Sequence, residues 1–377
     1  MTRRIGVLTG GGDCAGLNSA IKWVTKTATD PNLADHRDGD HLEVYGIREG
    51  WRGLIEVEPS DPSSLARWIQ NLDELVVRTW DRQGGTVLGS SRTNPFNPKI
   101  DKGEKCVENI KALGLDALVA IGGEDTLSVA YKLYHDLGQK VVGIPKTIDR
   151  DLNGTDYTLG YDTALNVITE EVDRLRTTAG SHNRLFVVEV MGRHAGWLAL
   201  EGGQAAGAHV ILIPEFEFEV EKVAALLERR RKAGVRYDIV VVSEGAKIKG
   251  QDEVYLSDKV DSFGHKVLGG IGETLAKRLE EITNFETRHV VLSHIQRGGN
   301  PSARDRLMGR YFGIAAVDLI LEEDFGRMVS YREGQITSVS LKQAIERLAV
   351  VDVNKFYDPL RYNGRRSSLL PWSKHSD

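Results

Sequence analysis

A group of charged and hydroxyl side chains follows an apolar segment near the middle of the chain. Residues 140–144 are typical of a buried strand, and residues 145–151 follow directly. In this second segment Lys146 can neutralise a phosphate group, Asp149 can take a proton from an alcohol, and Asp151 can face a metal ion. Phosphoryl transfer to a hydroxyl needs these three functions close together. The alternative is a charged, solvated loop after a strand, and this segment alone is compatible with both interpretations.

Length and composition indicate a globular protein with more than one domain. With 377 residues, 41% of them hydrophobic and 27% charged, the chain can form roughly two or three domains with buried cores. The net charge of -5 argues against nonspecific nucleic-acid binding. No apolar run approaches the length of a membrane span, and the apolar start at residues 5–8 is too short for a signal peptide. Cys14 and Cys106 do not suggest a disulfide framework, so a reduced, cytoplasmic compartment is expected.

Two segments combine a strand, a glycine loop and a helix. The first has a strand at residues 5–8, a loop with Gly11, Gly12 and Gly16, and a helix from about residue 18 to 29. Such an arrangement can hold a phosphate group with backbone N–H groups at the helix N-terminus. The loop fits the dinucleotide-binding pattern only loosely. It also does not match the P-loop fully, because it lacks the Lys-Ser/Thr pair of that motif. A loop that only makes a tight turn remains the alternative.

The second such segment places two carboxylates at a helix N-terminus. A strand at residues 117–121 precedes Gly123, Glu124, Asp125 and Thr126, and a helix follows. Either carboxylate could hold Mg²⁺ between the protein and a phosphate group. Both would also be ordinary residues for the first turn of a helix.

The remaining chain continues the alternation of strands and helices. We expect a glycine-rich strand at residues 84–92, and Arg92 at its end could bridge two phosphate groups or be an exposed loop residue. Further strands are predicted at residues 184–190, 210–213, 238–242 and 288–292. Because most predicted strands are followed by a helix, an α/β fold with parallel sheets is expected. Charged residues follow several of these strands, which is where α/β enzymes place their chemistry.

Six motifs in consistent order match one family. They are Gly11-Gly12-Asp13, Gly122-Gly123-Glu124-Asp125, Pro145-Lys146-Thr147-Ile148-Asp149, Gly154-Thr155-Asp156-Tyr157-Thr158, Met191-Gly192-Arg193 and His294-Ile295-Gln296-Arg297-Gly298-Gly299. With these motifs the chain resembles the 6-phosphofructokinases of the phosphofructokinase A superfamily, from about residue 5 to residue 348. The resemblance implies two Rossmann-like, three-layer α/β/α domains with mainly parallel sheets. It also implies phosphoryl transfer to fructose 6-phosphate in glycolysis and gluconeogenesis.

The resemblance implies a role for each matching residue. In the family, the first aspartate of the Thr-Ile-Asp motif deprotonates the 1-hydroxyl of fructose 6-phosphate, and Asp149 matches it. Glu124, with Asp151, is expected to hold Mg²⁺. The residues with implied catalytic roles are Asp149, Lys146, Asp125, Thr147 and Arg92. The residues implied for the phosphoryl donor are Gly11, Gly12, Gly123, Glu124, Asp125, Thr126 and Lys146. The residues implied for the sugar phosphate are Thr147, Ile148, Asp149, Arg184, Met191, Gly192, Arg193, Glu244, Arg288, His294 and Arg297.

The resemblance also implies a domain organisation and an oligomer. Residues 1–160 with about 296–348 are expected to form the larger, donor-binding domain, and residues 161–295 the smaller domain that binds fructose 6-phosphate. Residues 349–377 are expected to be a C-terminal tail that packs on the body or on a neighbouring subunit. In the family, the residues matching Arg184 and Arg288 reach into a neighbouring subunit, which implies a homodimer or homotetramer. No nucleic-acid or membrane partner is expected.

Two positions predict the phosphoryl donor. ATP-dependent relatives usually carry glycine at the position of Asp125, and many carry glycine at the position of Lys146, whereas pyrophosphate-dependent relatives carry Asp and Lys. A carboxylate at Asp125 would stand where the α-phosphate of a nucleotide must lie, and like charges this close cost roughly several kcal/mol. Lys146 supplies the cation that pyrophosphate needs as it leaves as phosphate. Pyrophosphate is therefore the predicted donor, in a reversible reaction.

Departures from the family pattern leave alternatives open. Glu124 replaces the commoner Asp, so a longer side chain must reach the metal. Arg150 replaces the usual Asn and could pair with Asp151, lower the basicity of Asp149, or point outward. An ATP-dependent phosphofructokinase with an unusual pocket is the first alternative function. A non-catalytic regulatory subunit is the second, but this chain keeps the residues that such subunits lose, namely Asp149, Arg193, His294 and Arg297.

Overall fold

The computed structural model describes residues 2–30, 41–251, 255–260 and 266–366. The chain divides into two compact units by its internal contacts. Unit 1 comprises Met1–Thr163, Val260–His265 and Arg297–Leu348, and unit 2 comprises Ala164–Lys259, Lys266–Gln296 and Ala349–Asp377. The polar surface insertion predicted around residues 31–40 and the last part of the predicted tail, residues 367–377, lie outside the described residues.

Unit 1 is built on a seven-stranded sheet. Its strands are β1 (Thr2–Thr9), β2 (His41–Ile47), β3 (Ile69–Leu72), β4 (Ala117–Gly122), β5 (Val141–Pro145), β12 (Arg327–Arg332) and β13 (Gln335–Ser340). Its helices are α1 (Leu17–Thr29), α2 (Trp51–Glu56), α3 (Pro62–Trp68), α4 (Glu74–Val77), α5 (Gly103–Ala112), α6 (Glu124–His135), α11 (Ala303–Leu321) and α12 (Leu341–Ile345). Helix α7 (Tyr161–His182) begins with the last residues of the first segment of unit 1.

The strand order of this sheet creates a place for a ligand. The order is β13-β12-β5-β4-β1-β2-β3, with antiparallel strands only at the two edges. From β1 the chain builds the sheet in one direction through β2 and β3, and then returns to place β4 on the other side of β1. In open α/β sheets, ligands bind at the carboxyl ends of the strands where the order reverses. The loops after β1 and β4 therefore form the expected binding crevice of unit 1.

Helices α1 and α11 of unit 1 are closely packed against each other. Helices α1 and α11 approach so closely that a side chain at Gly309 or Gly313 would collide with α1: a Cβ atom at Gly309 would lie 2.7 Å from Ser19 Cβ, and one at Gly313 would lie 2.8 Å from the backbone N of Val24. Such contacts leave no room for rearrangement in a close-packed interior. The N-terminal end of α11 is thereby held in a fixed position within unit 1.

Unit 2 contains a smaller, fully parallel sheet. Its strands are β6 (Leu185–Val190), β7 (Val210–Leu212), β8 (Asp238–Ser243) and β11 (Thr287–Val291), in the order β11-β6-β8-β7. The remaining short strands are β9 (Tyr255–Val260), β10 (Lys266–Leu268), β14 (Tyr357–Asp358) and β15 (Asn363–Gly364). The helices are the rest of α7 with α8 (Trp197–Ala205), α9 (Val220–Lys232), α10 (Ile271–Thr283) and α13 (Val353–Phe356).

The described part of the C-terminal tail, residues 349–366, packs on unit 2. The Tyr357 hydroxyl donates to the carbonyl of Ile211 at 2.6 Å, and the Ile211 N–H donates to the carbonyl of Tyr362 at 2.7 Å. Tyr357 is fully buried. These bonds pair the tail with β7 at the edge of the sheet, where unpaired backbone groups would otherwise be exposed.

The prediction of an α/β fold with mainly parallel sheets is confirmed. The prediction of a strand at residues 84–92 is wrong, because this segment is an irregular loop. Gly85 and Gly89 have φ values of +62° and +71°, which turn the backbone, and the Gly89 N–H closes a turn onto the Thr86 carbonyl at 3.1 Å.

Among the helices of the described residues, none is long and apolar enough to cross a membrane.

Candidate active site

The loop after β1 lies against the first turn of α6. The Gly10 N–H donates to the carbonyl of Ile121 in β4 at 3.0 Å, which joins the two loops. A Cβ atom at Gly10 would lie 2.5 Å from Thr126 Oγ1, so only glycine fits there. Gly11 and Gly16 have φ values of +76° and +98°, which glycine adopts at no steric cost. The first glycine loop is thus held at the crevice by contacts that require its glycines.

Helix α6 presents two carboxylates in its first turn. The helix begins at Glu124, with Gly123 as its N-cap and no side chain capping it. Negative side chains are favoured in this position by the helix dipole. The hydroxyl of Ser128, one turn later, donates to Glu124 Oε1 at 3.2 Å and orients that carboxylate. Glu124 and Asp125 therefore stand at the carboxyl end of β4, next to the glycine loop.

Lys146 reaches from the end of β5 back to the glycine loop. Its backbone N–H donates to the carbonyl of Gly122 at 3.0 Å, and its Nζ donates to the carbonyl of Gly12 at 2.6 Å. The residue is only 3% exposed. The pKa of Lys146 is lowered from 10.5 to about 8, mainly by burial, and the nearby Arg297 guanidinium acts in the same direction. A buried ammonium group thus lies at the loop where a phosphate group would bind.

The residues after Lys146 form a tight turn that brings carboxylates together. The Asp149 N–H donates to Thr147 Oγ1 at 3.1 Å, and the Thr158 hydroxyl donates to the Thr147 carbonyl at 2.6 Å. Burial, then the charges of Asp149 and Glu124, raise the pKa of Asp151 from 3.8 to about 7. The carboxylate of Asp151 is therefore poorly solvated and close enough to Asp149 and Glu124 to be affected by their charges. A cation at this place would relieve their repulsion.

Arg150 occupies a strained position between the two aspartates. Its φ of +53° is in the left-handed region, which non-glycine residues adopt at a cost and which is common at functional sites. Its guanidinium carbon lies 5.5 Å from the centre of the Tyr161 ring, a cation–π arrangement. The structure therefore directs the Arg150 side chain to Tyr161.

A buried acid that sequence reasoning missed holds this turn from behind. Asp305, in the first turn of α11, is fully buried and accepts hydrogen bonds from the Tyr157 hydroxyl at 2.7 Å and from the Gly160 N–H at 2.8 Å. It also accepts from the backbone N–H and hydroxyl of Thr163 at 2.9 and 2.5 Å. Asp305 thereby caps the start of α7. The sequence feature that could have indicated Asp305 is a charged residue on the buried face of a helix.

The segment that Asp305 holds lies along Lys146 and Thr147. Leu159 pairs with Lys146 in an isolated parallel bridge, and its N–H donates to the Pro145 carbonyl at 3.1 Å. The Cys14 thiol donates to the Leu159 carbonyl at 3.3 Å. Ile148, predicted to contact the sugar phosphate, is fully buried. The functional loop is therefore fixed by residues that are distant in sequence.

Arg92 and Arg297 both lie near the first glycine loop. The Ser91 carbonyl accepts a hydrogen bond from the Gly11 N–H at 3.0 Å, which places Arg92 next to that loop. Arg297 Nη1 donates to the carbonyl of Asp13 at 3.1 Å. Arg297 was predicted to contact the sugar phosphate, and the structure places it in unit 1 with the predicted donor residues.

In unit 2, predicted residues meet at the carboxyl ends of neighbouring strands. Met191, Gly192 and Arg193 follow β6, and the Ser243 hydroxyl at the end of β8 donates to the Gly192 carbonyl at 2.5 Å. The next residue, Glu244, donates its N–H to the Val190 carbonyl at 2.8 Å.

His294 follows the third strand of this group, β11. Its Nδ1 lies 3.0 Å from Ser293 Oγ, and the Met191 N–H donates to Gln296 Oε1 at 3.3 Å. The loops after β6, β8 and β11 are thus adjacent in unit 2 because their strands are neighbours in the sheet.

A second buried acid that was not predicted supports these loops. Glu189 is 2% exposed and accepts hydrogen bonds from the N–H groups of Gly270 and Gly272 at 3.2 and 2.8 Å. Those amides belong to the N-terminus of α10, where a carboxylate is favoured by the helix dipole. Glu189 thus joins the end of β6 to the start of α10.

Arg184 and Arg288 are brought together by one carboxylate. Glu286 Oε1 accepts from Arg184 Nε at 2.8 Å and from Arg288 Nη2 at 2.7 Å. Arg288 lies on β11, the edge strand of its sheet, and is exposed. The two arginines predicted to act on a neighbouring subunit therefore form one cationic group on unit 2.

These features define an α/β enzyme built for phosphoryl transfer. The chain belongs to the phosphofructokinase family, since the family profile described as Phosphofructokinase matches residues 4–320. The pyrophosphate–fructose 6-phosphate 1-phosphotransferase of Amycolatopsis methanolica is 48% identical over 357 residues, 94% of this chain and 97% of that protein. The ATP-dependent 6-phosphofructokinase 3 of Streptomyces coelicolor is 44% identical over 348 residues, 92% of this chain and 96% of that protein.

A solved structure shares the fold. The pyrophosphate-dependent phosphofructokinase of Marinobacter aquaeolei matches with a TM-score of 0.77 at 23% identity, over 97% of this chain and 89% of that chain. Relatives named for either donor have similar identity to this chain. The choice of donor must therefore be argued from the side chains at the site.

Proposed function

We propose that this chain is a pyrophosphate-dependent 6-phosphofructokinase. It transfers a phosphoryl group from pyrophosphate to the 1-hydroxyl of fructose 6-phosphate, giving fructose 1,6-bisphosphate and phosphate, and the reaction is reversible. The observation that carries this proposal is that the chain has both an acid, Asp125, in the first turn of α6 and a buried ammonium group, Lys146 Nζ, which donates to the Gly12 carbonyl in the glycine loop. The relatives named for pyrophosphate support the same donor.

The two side chains act in opposite directions on the two donors. The carboxylate of Asp125 repels the additional phosphate group of a nucleotide. A nucleotide could bind only if a cation or free space stood in its place. Lys146 is buried at the loop, so its charge interacts strongly with a small anion that excludes water. Together they favour a compact diphosphate over a nucleotide.

The geometry of the turn at residues 147–151 supports a division of roles. Asp149 takes the proton of the 1-hydroxyl, and its backbone is fixed by the bond from its N–H to Thr147 Oγ1. Thr147 contacts the sugar or the transferred phosphoryl group. Arg92 bridges the donor and acceptor phosphates, which a guanidinium group can do through two parallel hydrogen bonds.

The acids of unit 1 fit a magnesium ion as cofactor. Mg²⁺ is commonly held by one or two carboxylates together with substrate phosphates and water. The raised pKa of Asp151, caused first by burial and then by Asp149, with Glu124 also contributing, marks a concentration of negative charge that a cation would stabilise. No group of three or more His, Cys, Asp or Glu side chains with metal-binding geometry occurs in the described ranges. We therefore propose Glu124 and Asp151 as ligands that act with the substrate phosphates; the bound ion would neutralise charge on the transferred group.

The sugar phosphate is proposed to bind the strand-end loops of unit 2. Met191, Gly192, Arg193, Glu244 and His294 supply backbone and charged groups at the ends of three adjacent strands. In this proposal unit 1 is the donor domain and unit 2 the sugar-phosphate domain. Arg184 and Arg288 complete the site of a neighbouring subunit in a homodimer or homotetramer, and the enzyme acts in the cytoplasm.

A donor assay tests this function directly. Purified protein with fructose 6-phosphate and Mg²⁺ is expected to form fructose 1,6-bisphosphate faster with pyrophosphate than with ATP. Faster turnover with ATP would show an ATP-dependent phosphofructokinase. No turnover with either donor, in a folded preparation, would favour a regulatory subunit.

The lowered pKa of Lys146 predicts a loss of activity at alkaline pH. Above about pH 8 the ammonium group loses its proton, so kcat/KM for pyrophosphate is expected to fall by about tenfold per pH unit. The stability contribution has the opposite sign: the unfolded chain keeps this proton up to about pH 10.5, so stability rises with pH between about 8 and 10.5.

The measurement is kcat/KM for pyrophosphate from about pH 7 to about pH 10, compared with Lys146→Arg. Arginine stays charged throughout this range, and the ratio of the two profiles removes the ionisation of pyrophosphate itself. A wild-type to variant ratio that stays constant with pH would show that Lys146 does not carry the titration.

A further inference from the structure

Asn18 is fully buried although its side chain is polar. It is the second residue of α1, and its side-chain amide binds the backbone of the irregular loop that ends at Arg92. The inference drawn from this contact rests on the function proposed above, in which Arg92 bridges the donor and acceptor phosphates. We propose that Asn18 is a positioning residue, which fixes the place of Arg92 by holding the loop at residues 83–92.

Three hydrogen bonds join the Asn18 amide to the first half of this loop. Nδ2 donates to the carbonyls of Gln83 and Gly84 at 3.1 and 3.2 Å. Oδ1 accepts from the Val87 N–H at 2.8 Å. An asparagine side chain carries two donor hydrogens and an acceptor oxygen, and the loop matches each of them with a backbone group. A carboxylate of the same shape would offer only acceptors and would repel the two carbonyls.

The middle of the loop is held by the end of β1. The Thr9 hydroxyl donates to the Gly89 carbonyl at 2.8 Å, and its oxygen lies 2.9 Å from the Thr86 hydroxyl oxygen. Leu88, in the same part of the loop, is only 1% exposed. These contacts join the segment that Asn18 binds to the second half of the loop as one packed unit.

The last residues of the loop pair with the first glycine loop. The Ser90 hydroxyl donates to the Gly11 carbonyl at 2.6 Å, and the Gly11 N–H donates to the Ser91 carbonyl at 3.0 Å. Arg92 follows these two serines directly and is exposed. The backbone that carries Arg92 is therefore set by the glycine loop at one end and by the segment that Asn18 binds at the other.

The loop depends on these contacts because residues 83–92 belong to no helix or strand. Gly85 and Gly89, both in the left-handed region, also widen the range of conformations that an unanchored segment can adopt. An arginine that bridges two phosphate groups must be placed accurately, since a displacement of about 1 Å can lower a rate about 10²-fold. The amide of Asn18 thus restricts a segment that would otherwise be variable.

A double-mutant cycle on kcat tests this role. With pyrophosphate as donor, Asn18→Ala is expected to lower kcat at least ~10-fold, and Arg92→Ala at least ~10²-fold. In the Arg92→Ala background, Asn18→Ala should lower kcat by less than about a further twofold, because no guanidinium group is left to be misplaced. A purely structural role of Asn18 would lower kcat by the same factor in both backgrounds.

Asn109→Ala is the matched control. Asn109 is also a buried asparagine on a helix of unit 1, and its Nδ2 donates to the carbonyls of Leu54 and Val57 at 2.8 and 3.0 Å. Its replacement removes a comparable set of backbone contacts away from the loop of Arg92, so kcat should change by less than about twofold. Thermal unfolding of every variant compares the losses of stability. Asn18→Ser, which keeps a hydroxyl group, carries the same cycle if Asn18→Ala does not fold.

The possible outcomes separate this inference from the function on which it rests. Equal factors for Asn18→Ala with and without the Arg92 guanidinium group would overturn the inference, and so would a wild-type kcat in Asn18→Ala. A wild-type kcat in Arg92→Ala would overturn it as well, because the loop would have no catalytic side chain to position. Turnover by the wild-type protein with ATP alone would refute the proposed donor, and the same cycle measured with ATP would still decide the role of Asn18. Absence of turnover with either donor would refute both.

Discussion

Replacing Asp149 by alanine is expected to lower kcat by at least ~10²-fold, the low end of the effect of a general base. The carboxylate that accepts the proton of the 1-hydroxyl is then missing, whereas the turn keeps the backbone bond from residue 149 to Thr147 Oγ1. The KM for fructose 6-phosphate should change by less than about threefold, because the lost interaction acts in the transition state. Steady-state kinetics with saturating pyrophosphate and Mg²⁺ measure both values.

Asp156→Asn is the control for this experiment. Asp156 is exposed in the segment that follows the same loop, and its carboxylate accepts a hydrogen bond from the Glu333 N–H at 3.0 Å. Its replacement should leave kcat unchanged. A wild-type kcat in Asp149→Ala would show that Asp149 is not the base of the reaction.

The second large effect concerns the donor. In Lys146→Gly, kcat/KM for pyrophosphate is expected to fall at least ~10²-fold, because a preorganised charge at the leaving phosphate is lost. In Asp125→Gly, ATP should become a substrate, since the carboxylate no longer occupies the place of a nucleotide phosphate. The double variant should combine both changes and prefer ATP. Initial rates with each donor at fixed fructose 6-phosphate give the ratio of the two kcat/KM values.

Two control variants separate charge from packing. Lys146→Met fills the buried volume without a charge, so it should lose pyrophosphate activity as Lys146→Gly does. Glu104→Ala removes an acid from the first turn of α5, elsewhere in unit 1, and should alter neither donor. Absence of ATP activity in a folded Asp125→Gly protein would refute the proposed role of Asp125 in donor choice.

The parts of the site that sequence could predict are those encoded by short segments. Strand patterns followed by glycines and charges placed the loops after β1, β4 and β5 at one edge of a sheet, because parallel strands end at the same edge. The contact from Lys146 to the Gly12 carbonyl could not be read in the same way. It joins residues 134 positions apart, and its geometry depends on the order of strands in the sheet.

Buried acids were the main omission. Asp305 and Glu189 bind backbone N–H groups of helix N-termini that lie far away in the sequence. Every residue except proline has such a group, so no residue type in the sequence indicates these contacts. The strand expected at residues 84–92 failed for a different reason. The glycine-rich sequence does not determine φ, and two glycines in the left-handed region bend this segment into a loop.

The contact between Asp305 and the start of α7 affects how the protein is made on the ribosome. The loop at residues 145–151 is synthesised early, but the carboxylate that fixes the following segment lies 148 residues after Tyr157. A nascent chain can therefore display every residue of the loop before it possesses the group that immobilises it. The loop can therefore be fixed only after residue 305 has been synthesised, although the loop's own chemical groups are encoded much earlier.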